Sequence, residues 1–272
     1  HLGHARAGRK ERVAARQAAA ALLLGADAGL LDRYAPILDD AYWIAEPPDI
    51  AARNLVAFAA ARGASRPLAV ETAFDESRGA TLVTVIAADH PGLFYRIAGG
   101  IHLAGGNIID ARIHTTRDGW ALDNFLVQDA VGGPFAEAGQ LARLETSIAD
   151  ALANRIDLAP RLAQRPLAHG RAAAFDVRPR VLFDNKASGR FTVIEVNARD
   201  RPALLNRLAR ALFEAGAIVH SAHITSYGER AADTFYATDA TGAKIGGARL
   251  DALEAALLHA ASDAFQARLA EA

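Results

Sequence analysis

Two residue types are missing from this sequence. Its 272 residues include no cysteine and no methionine. The chain can therefore form no disulfide, no thiolate metal site and no cysteine nucleophile. The absence of cysteine is compatible with a reducing cytoplasm, where we expect the protein to be located. Because the sequence begins with His1 and has no methionine, we also expect it to be a fragment whose partner domains are missing.

Long apolar runs and an excess of one charge are missing as well. The run from Ala18 to Leu24 is cut short by Gly25, whereas a membrane span needs about 20 apolar residues. The formal net charge is -1, and a general nucleic-acid binder usually carries a basic excess. We therefore expect neither a membrane nor a nucleic acid as partner. With 51% hydrophobic residues, the chain can bury the cores of two domains.

What the sequence does contain is an internal repeat. Residues 88–94, ADHPGLF, return at 199–205 as RDRPALL. At the same spacing, Val85, Arg96, Ala98, Ala104, Gly105, Ala111 and Ile113 match Val196, Arg207, Ala209, Ala215, Gly216, Ala222 and Ile224. After a one-residue deletion, Asp123, Phe125, Asp129 and Gly132 match Asp233, Phe235, Asp239 and Gly242. This many ordered identities indicate a tandem duplication of a unit of roughly 100 residues.

Each copy predicts the order strand, strand, helix, strand, strand, helix. Alternating or β-branched runs indicate the strands, and apolar residues at helical spacing indicate the helices. The first copy predicts strands 68–74 and 81–87, a helix from Pro91 to about Ala104, strands 107–115 and 121–129, and a helix from Pro134 to about Arg155. The second predicts a strand ending at Phe183, a strand 191–198, a helix 202–215, strands 218–226 and 231–239, and a closing helix with Leu250 and Phe265.

The first internal helix carries its own start and stop signals. Pro91 suits the first turn, where N–H groups have no intrahelical partner, and Asp89 is placed to cap that turn. Gly105 is expected to end the helix in the left-handed conformation. Pro202 and Gly216 occupy the same places in the second copy.

The order of elements also constrains the topology. In a ferredoxin-like sheet the last strand lies beside the first, yet here no strand follows the final helix of either copy. The leading strand of each copy can fill that edge position. We therefore predict an α+β protein with two rearranged ferredoxin-like domains, at 67–156 and 173–272, each a four-stranded antiparallel sheet with two helices on one face.

Residues 1–66 precede the first domain as a short helical segment. Three helices are predicted, at 6–24, at 30–43 with an interruption at Pro36, and from Pro48 to Phe58. Three short helices bury too little surface for a core of their own. We expect them to pack on another part of the protein.

The repeated motif resembles a known module. Asp89-His90-Pro91-Gly92-Leu93, followed by Gly105-Gly106-Asn107-Ile108, resembles an ACT domain, a small-molecule sensor usually tuned to amino acids. The pair is similar to the C-terminal half of the bifunctional uridylyltransferase/uridylyl-removing enzymes of bacterial nitrogen control. Segments 111–119, 121–125, 183–185 and 193–196 carry this likeness. Residues 40–43 resemble the segment that joins the HD hydrolase domain of that family to its ACT pair, so 1–66 is expected to be the tail of such a domain.

The resemblance implies a function for the parent enzyme and for this part of it. The parent would be a nucleotidyltransferase and hydrolase, using Mg²⁺, that transfers UMP to and from the PII signalling protein. Glutamine would be the signal read by the ACT pair. In this chain itself we expect no catalytic residue, no metal and no cofactor. We expect the ACT domains to pair within the chain or between chains.

The motif is chemically suited to a free amino acid. A helix N-terminus attracts a carboxylate, a nearby aspartate accepts from an ammonium group, and a glycine lets a ligand approach the backbone. Asn107 could hold a carboxamide or an α-group. The predicted ligand-binding residues are Asp89, His90, Gly92, Leu93, Asn107 and Ile108 in the first copy and Asp200, Arg201, Ala203 and Leu204 in the second. Because Ala203 and Ile218 replace the glycine and the asparagine, the second site is narrower, non-binding or completed by the first copy.

Other interpretations stay open at this point. Asp89 and Pro91 are also compatible with a plain helix cap. The whole chain could be a ligand-independent interaction module, with edge strands 107–115 and 218–226 pairing between domains or chains. A small ferredoxin-like enzyme or RNA binder is a third possibility. RNA recognition is disfavoured by the near-neutral charge and by the absence of an aromatic-rich basic strand. His220 and His223 are three residues apart on a predicted strand and should point to opposite faces, which argues against a metal pair.

Overall fold

The structure, a computed structural model, describes residues 2–163, 177–201, 203–227 and 230–262. The helices are α1 (Leu2–Leu24), α2 (Gly29–Tyr34), α3 (Asp40–Ala45), α4 (Pro48–Gly63), α5 (Leu93–Leu103), α6 (Ala138–Leu152), α7 (Leu158–Ala163), α8 (Leu204–Glu214) and α9 (Ala248–Ala261). The strands are β1 (Leu68–Asp75), β2 (Ala80–Ala88), β3 (Asn107–Arg112), β4 (Trp120–Gln128), β5 (Arg180–Asp184), β6 (Thr192–Arg199), β7 (Ile218–Tyr227) and β8 (Arg230–Thr238). Short 3-10 turns cover Gly25–Asp27 and Ala35–Ile37.

These strands form one eight-stranded sheet in the order β1-β2-β4-β3-β7-β8-β6-β5. Hydrogen-bonded neighbours in this order include β3 and β7, one from each copy of the repeat. The prediction that these two edges pair is therefore confirmed, within a single chain. The outermost positions are held by β1 and β5, the leading strands of the two copies.

The chain divides into two compact units. Unit 1 comprises His1–Thr72, Val83–Asp89 and Arg112–Asn124, and unit 2 comprises Ala73–Leu82, His90–Ala111 and Phe125–Ala272. Their boundaries cross the first copy of the repeat. The domain limits predicted at 67–156 and 173–272 stay a prediction.

The second copy, which lies in unit 2, has the predicted strand arrangement. β5 runs antiparallel to β6 with Val181 opposite Val196, and β6 runs antiparallel to β8 with Ile194 opposite Phe235. β8 is also antiparallel to β7, which contains a bulge between Val219 and Ser221. The leading strand β5 thus fills the edge that a final strand would occupy. Helices α8 and α9 pack on each other and contact strands of this sheet, which confirms the rearranged ferredoxin-like fold.

Unit 1 has a core shared by helices and strands. Tyr42 and Trp43 of α3 and Phe58 of α4 are buried in one cluster with Ile86 of β2 and Leu122 of β4. The ring of Phe58 also lies edge-on to Tyr34, at 5.1 Å, and to Trp120, at 6.2 Å. The expectation that the N-terminal helices pack on another part of the protein is confirmed. They cover strand segments of the first copy.

Several predicted helix limits were wrong for local reasons. The segment predicted as one helix at 30–43 is α2, a 3-10 turn containing Pro36 and α3, because proline has no N–H and Leu38 is extended. α6 begins at Ala138 rather than Pro134, since Glu137 and Gln140 form a capping box there. α7 lies inside the predicted linker 156–172. Residues 164–176 and Phe265 lie outside the described residues.

The two copies meet inside unit 2 through α5 and α8. The Asn206 side-chain amide of α8 donates to the Tyr95 carbonyl oxygen of α5 at 2.6 Å, and the rings of Tyr95 and Phe213 lie 5.5 Å apart. Tyr95 and Asn206 occupy equivalent positions of the repeat.

Among the helices that the structure describes, none has the length and hydropathy needed to cross a membrane.

Gly100 lies where α5 and α6 approach each other closely in unit 2, and its replacement tests that packing. A Cβ at Gly100 would lie 2.9 Å from the Ile148 Cα and from the Ser147 carbonyl oxygen of α6. Gly100→Ala should therefore destabilise the protein by roughly 1–3 kcal/mol through overpacking. Gly139→Ala, in α6 with nothing within 4 Å of the added methyl group, is the control. It should be neutral or stabilising by up to about 1 kcal/mol, as measured by urea unfolding. Equal stability of the two variants would contradict the close approach of α5 and α6.

Candidate functional site

The motif turn before α5 does not have the predicted helix cap. α5 begins at Leu93, and its N-cap is Gly92, with φ 80° and ψ 10°. The helix therefore starts two residues after Pro91, and Asp89 is too far upstream to cap it. A Cβ on Gly92 would also lie 2.4 Å from a ring carbon of Tyr95. Glycine is thus required by the left-handed backbone and by its own helix, rather than only by a ligand.

The structure places the other predicted residues of the first copy in different environments. Asp89, in unit 1, is exposed, and its Oδ2 accepts from the Thr115 hydroxyl at 3.4 Å. In unit 2, His90 is half-buried, and its carbonyl oxygen accepts from the Leu93 N–H at 3.2 Å. Leu93 and Ile108 are buried, and Asn107 opens β3 with its side chain exposed. Leu93 and Ile108 therefore belong to the core, and Asp89 and Asn107 remain the polar candidates.

The second copy repeats the turn with a residue poorly suited to it. Ala203 is the N-cap of α8 at φ 62° and ψ 15°, a conformation that costs a non-glycine residue about 1–2 kcal/mol. Leu204 N–H donates to the Arg201 carbonyl oxygen at 3.1 Å, as Leu93 does to His90. Asp200 is exposed, as is Asp89, while Pro202 lies outside the described residues. The same positive-φ turn has been kept despite the loss of its glycine.

Arginines surround the second turn. Burial, followed by the charge of Arg199, lowers the pKa of Arg201. Burial and the charge of Arg201 lower the pKa of Arg207 to about 10. Arg199 thus acts on Arg201, and Arg201 acts on Arg207.

Each copy also has a buried aspartate that sequence reasoning did not assign to the site. Asp123 of β4 accepts from the His114 N–H at 3.1 Å, and Asp233 of β8 accepts from the Thr225 N–H. Both residues are at most 1% exposed. The second oxygen of each carboxyl group has no hydrogen-bond partner among the described residues. The signal for them was present in the sequence, because both are charged residues within apolar strands at matching positions of the repeat.

The two aspartates titrate unusually because of where they lie. Burial, followed by the charges of Asp89 and Glu46, raises the pKa of Asp123 well above its ordinary value. Burial and the charge of Asp200 raise the pKa of Asp233 to about 7. In each copy an exposed carboxylate at the turn thus acts on a buried one in the neighbouring strand.

A third buried carboxylate, Glu46, is fully compensated within unit 1. Its oxygens accept from Arg112 Nε at 2.9 Å and from the Asn124 amide at 2.9 Å, and lie 2.8 Å from His114 Nε2. Burial alone would raise the pKa of Glu46. The hydrogen bond and charge of His114, the charge of Arg112 and the Asn124 amide together lower it. Asn124 is held in turn by Thr84, whose hydroxyl donates to its oxygen at 2.8 Å.

The two histidines of β7 have different partners. His220 lies at the bulge, with Nε2 2.9 Å from the Thr238 hydroxyl. His223 is exposed, with Nδ1 3.6 Å from an Asp110 carboxylate oxygen. Within the described part of the chain, no group of three or more His, Asp or Glu side chains could hold a metal ion.

The Glu46 cluster should contribute strongly to stability. Glu46→Gln leaves the Arg112 guanidinium beside a neutral amide, which should cost about 3 kcal/mol at pH 7. Since the folded state lowers the pKa of Glu46, the contribution is present above about pH 4.5 and is lost as the pH falls through the lowered pKa. The control Asp40→Asn removes an exposed pair with Arg9 and should cost under about 1 kcal/mol. Urea unfolding at pH 7 and pH 3.5 measures the free energy of unfolding of both variants. An equal loss of stability in the two variants at pH 7 would contradict a stabilising role of the Glu46 contacts.

Asp233 should produce the opposite pH dependence. Its folded pKa of about 7 lies above its ordinary value of 3.8, so its stabilising protonated form is fully present below about pH 4 and lost as the pH rises through 7. Asp233→Asn should therefore gain stability relative to the parent protein across this window, by about 1.4 kcal/mol per pH unit at most. Glu195→Gln, at an exposed position of β6, is the control and should show a flat difference. Urea unfolding at pH 4, 6 and 8 measures the stability difference between each variant and the parent. A difference for Asp233→Asn that does not change with pH would contradict the raised pKa.

Comparisons with known proteins identify relatives of this chain by sequence. No family model matches the chain. It is 68% identical over 269 residues to the bifunctional uridylyltransferase/uridylyl-removing enzyme of Erythrobacter litoralis, covering 98% of this chain and 29% of that protein. The enzymes of the same description from Novosphingobium aromaticivorans and Zymomonas mobilis are 64% and 46% identical, over 96% and 99% of this chain.

The chain thus spans 29% of the length of these three relatives. A crystal structure described as a glycine cleavage system transcriptional repressor aligns with 65% of this chain and 90% of its own, at 17% identity. Its TM-score of 0.20 is too low to establish a shared fold. The resemblance predicted from the sequence is confirmed by the sequence relatives: this chain corresponds to a C-terminal segment of bifunctional uridylyltransferase/uridylyl-removing enzymes.

Proposed function

We propose that this chain is the amino-acid-sensing region of a uridylyltransferase/uridylyl-removing enzyme and that glutamine is its signal. In this proposal, glutamine binding sets the balance between UMP transfer to the PII protein and UMP removal from it. Both reactions take place in the cytoplasm, in the portion of the enzyme that this chain does not span, where Mg²⁺ would be used. The ACT pair regulates these reactions and catalyses neither of them.

The observation that carries the proposal is the duplicated turn. α5 and α8 each begin after a residue of positive φ, Gly92 or Ala203, that has no side chain able to cap the helix. Each turn follows an exposed aspartate, Asp89 or Asp200. A helix start attracts a carboxylate and an aspartate attracts an ammonium group, so each turn complements the two charges of a free amino acid.

The charges at the second turn support the same ligand class. Arg201 carries a positive charge three residues before the start of α8. Asp200 supplies the opposite charge next to Arg201 in the chain. A purely anionic or purely cationic ligand would use only half of this arrangement.

Regulation requires that glutamine favour one state of the enzyme over another. A ligand shifts an equilibrium only by the difference between its affinities for the two states. The close packing of α5 and α8 provides a suitable element, because the helices that follow the two turns contact each other through Tyr95 and Asn206. A ligand that moves either helix start would change this contact.

The test is a calorimetric titration of the protein with glutamine, with asparagine and glutamate as comparisons. Glutamine should bind, and Asp89→Ala should weaken binding by about tenfold or more through loss of a charge-assisted contact. Glu76→Ala, an exposed acidic residue in the β1–β2 turn, is the matched control and should bind as the parent does. Absence of glutamine binding at millimolar concentration would overturn the proposal.

A second function is favoured by the direct pairing of the two copies. The α5–α8 contact and the adjacency of β3 and β7 require no ligand. The chain could therefore serve as a ligand-independent interaction module. In that case Asp89→Ala would leave stability, assembly and amino-acid titrations unchanged.

A further inference from the structure

We propose that Asp123 and Asp233, rather than the exposed aspartates alone, hold the α-ammonium group of the bound amino acid in the two copies. This inference rests on the proposed sensing function and deepens it by naming the residues that recognise one ligand group. Neither residue is part of the repeated turn motif. Both lie on the strand, β4 or β8, whose buried face carries the matching phenylalanine, Phe125 or Phe235.

Each of the two carboxyl groups needs a partner that it does not have among the described residues. One oxygen accepts a backbone N–H, and the other is buried with no hydrogen-bond partner there. Protonation does not resolve this, because a protonated carboxyl group becomes a donor and then needs an acceptor. A buried polar atom without a partner is costly, yet the same arrangement occurs in both copies. A structural requirement common to the two copies, or a ligand common to them, is the remaining explanation.

The charges around these two carboxyl groups favour a cation. Asp123 is influenced by the carboxylates of Asp89 and Glu46, and Asp233 by that of Asp200. An anion would add to this repulsion, and a cation would relieve it. A water molecule could satisfy the free oxygen but would leave the repulsion unchanged.

A primary ammonium group suits these carboxyl groups better than a divalent metal ion does. A divalent metal would need several oxygen or nitrogen ligands, and the described residues contain no group of three or more His, Asp or Glu side chains suited to one. A primary ammonium group is a compact charge with three donors, which matches one buried and one exposed carboxylate in each copy. Asp89 and Asp200 are exposed, so each pair has an end that solvent can reach.

The proposal has a consequence that a purely structural role would not produce. The buried carboxyl group must be ionised to hold an ammonium group. Because Asp233 has a pKa of about 7, it is mostly protonated at pH 6 and mostly ionised at pH 8. Binding at pH 6 should therefore release close to one proton per occupied second-copy site, and binding at pH 8 should release few. Affinity should rise with pH across this range, by up to tenfold per unit below the pKa.

The experiment is calorimetric titration with glutamine at pH 6 and pH 8, each in two buffers of different ionisation enthalpy so that released protons are counted. The parent protein should release protons at pH 6. Asp233→Asn and Asp123→Asn should each weaken binding at pH 8 by tenfold or more at the affected copy, and Asp233→Asn should abolish proton release from the second copy. Glu195→Gln, with its exposed side chain on β6, is the control for loss of one negative charge. Urea unfolding at pH 8 checks that the variants are folded, and Asp233→Asn should be at least as stable as the parent.

The outcomes separate this inference from the proposed function. Glutamine binding with no proton release at pH 6, and with unchanged affinity in Asp123→Asn and Asp233→Asn, would overturn the inference and leave the sensing function intact. Proton release that persists in a double variant with both Asp123→Asn and Asp233→Asn would also overturn it, because another group would be losing the proton. No glutamine binding at either pH would overturn both.

Discussion

A buried carboxyl group needs hydrogen-bond and charge partners, and most of this structure depends on how that need is met. Glu46, Asp123 and Asp233 are all almost completely excluded from water. Glu46 has an arginine, a histidine and an asparagine around it, and its pKa falls. The two aspartates have one backbone donor each. Asp123 has two carboxylate neighbours and Asp233 has one, and the pKa values of both aspartates rise. The difference lies in the partners, since burial acts on all three in the same direction.

The alternation of side chains along β4 explains how two opposite electrostatic environments come to lie side by side. Successive residues of a strand point to opposite faces, so Asn124 reaches Glu46 while Asp123 points the other way. His114 connects them within unit 1, because its side chain contacts Glu46 and its backbone N–H donates to Asp123. The N-terminal helical segment is therefore attached to the strand that carries the candidate ligand group. Attachment by a fully paired carboxylate fixes α3 against the sheet in one position.

Much of the fold could be predicted from the sequence because it depends on local patterns and on the repeat. The order of strands and helices, the rearranged edge strand and the left-handed Gly105 followed from hydrophobic periodicity and turn residues, and Gly105 has φ 98°. The start of α5 could not be predicted, because Gly92 at positive φ carries the chain into the helix and leaves Asp89 outside it. The Glu46 cluster could not be predicted either. Its contacts join residues 66 to 78 positions apart, and no periodic pattern encodes such a distance.

The comparison of the two copies shows which features of the repeat tolerate change. The second copy has lost the glycine and the asparagine of the first, yet it keeps the positive-φ turn, the exposed aspartate and the buried aspartate. Keeping an alanine in the left-handed conformation and a carboxyl group without a full set of partners costs stability at both places. Neither feature is needed to form a four-stranded sheet with two helices, since an apolar residue in the strand and a glycine in the turn would fold more favourably. Unfavourable local choices that persist together at one corner of a fold are characteristic of a binding site, where the ligand supplies the missing interaction.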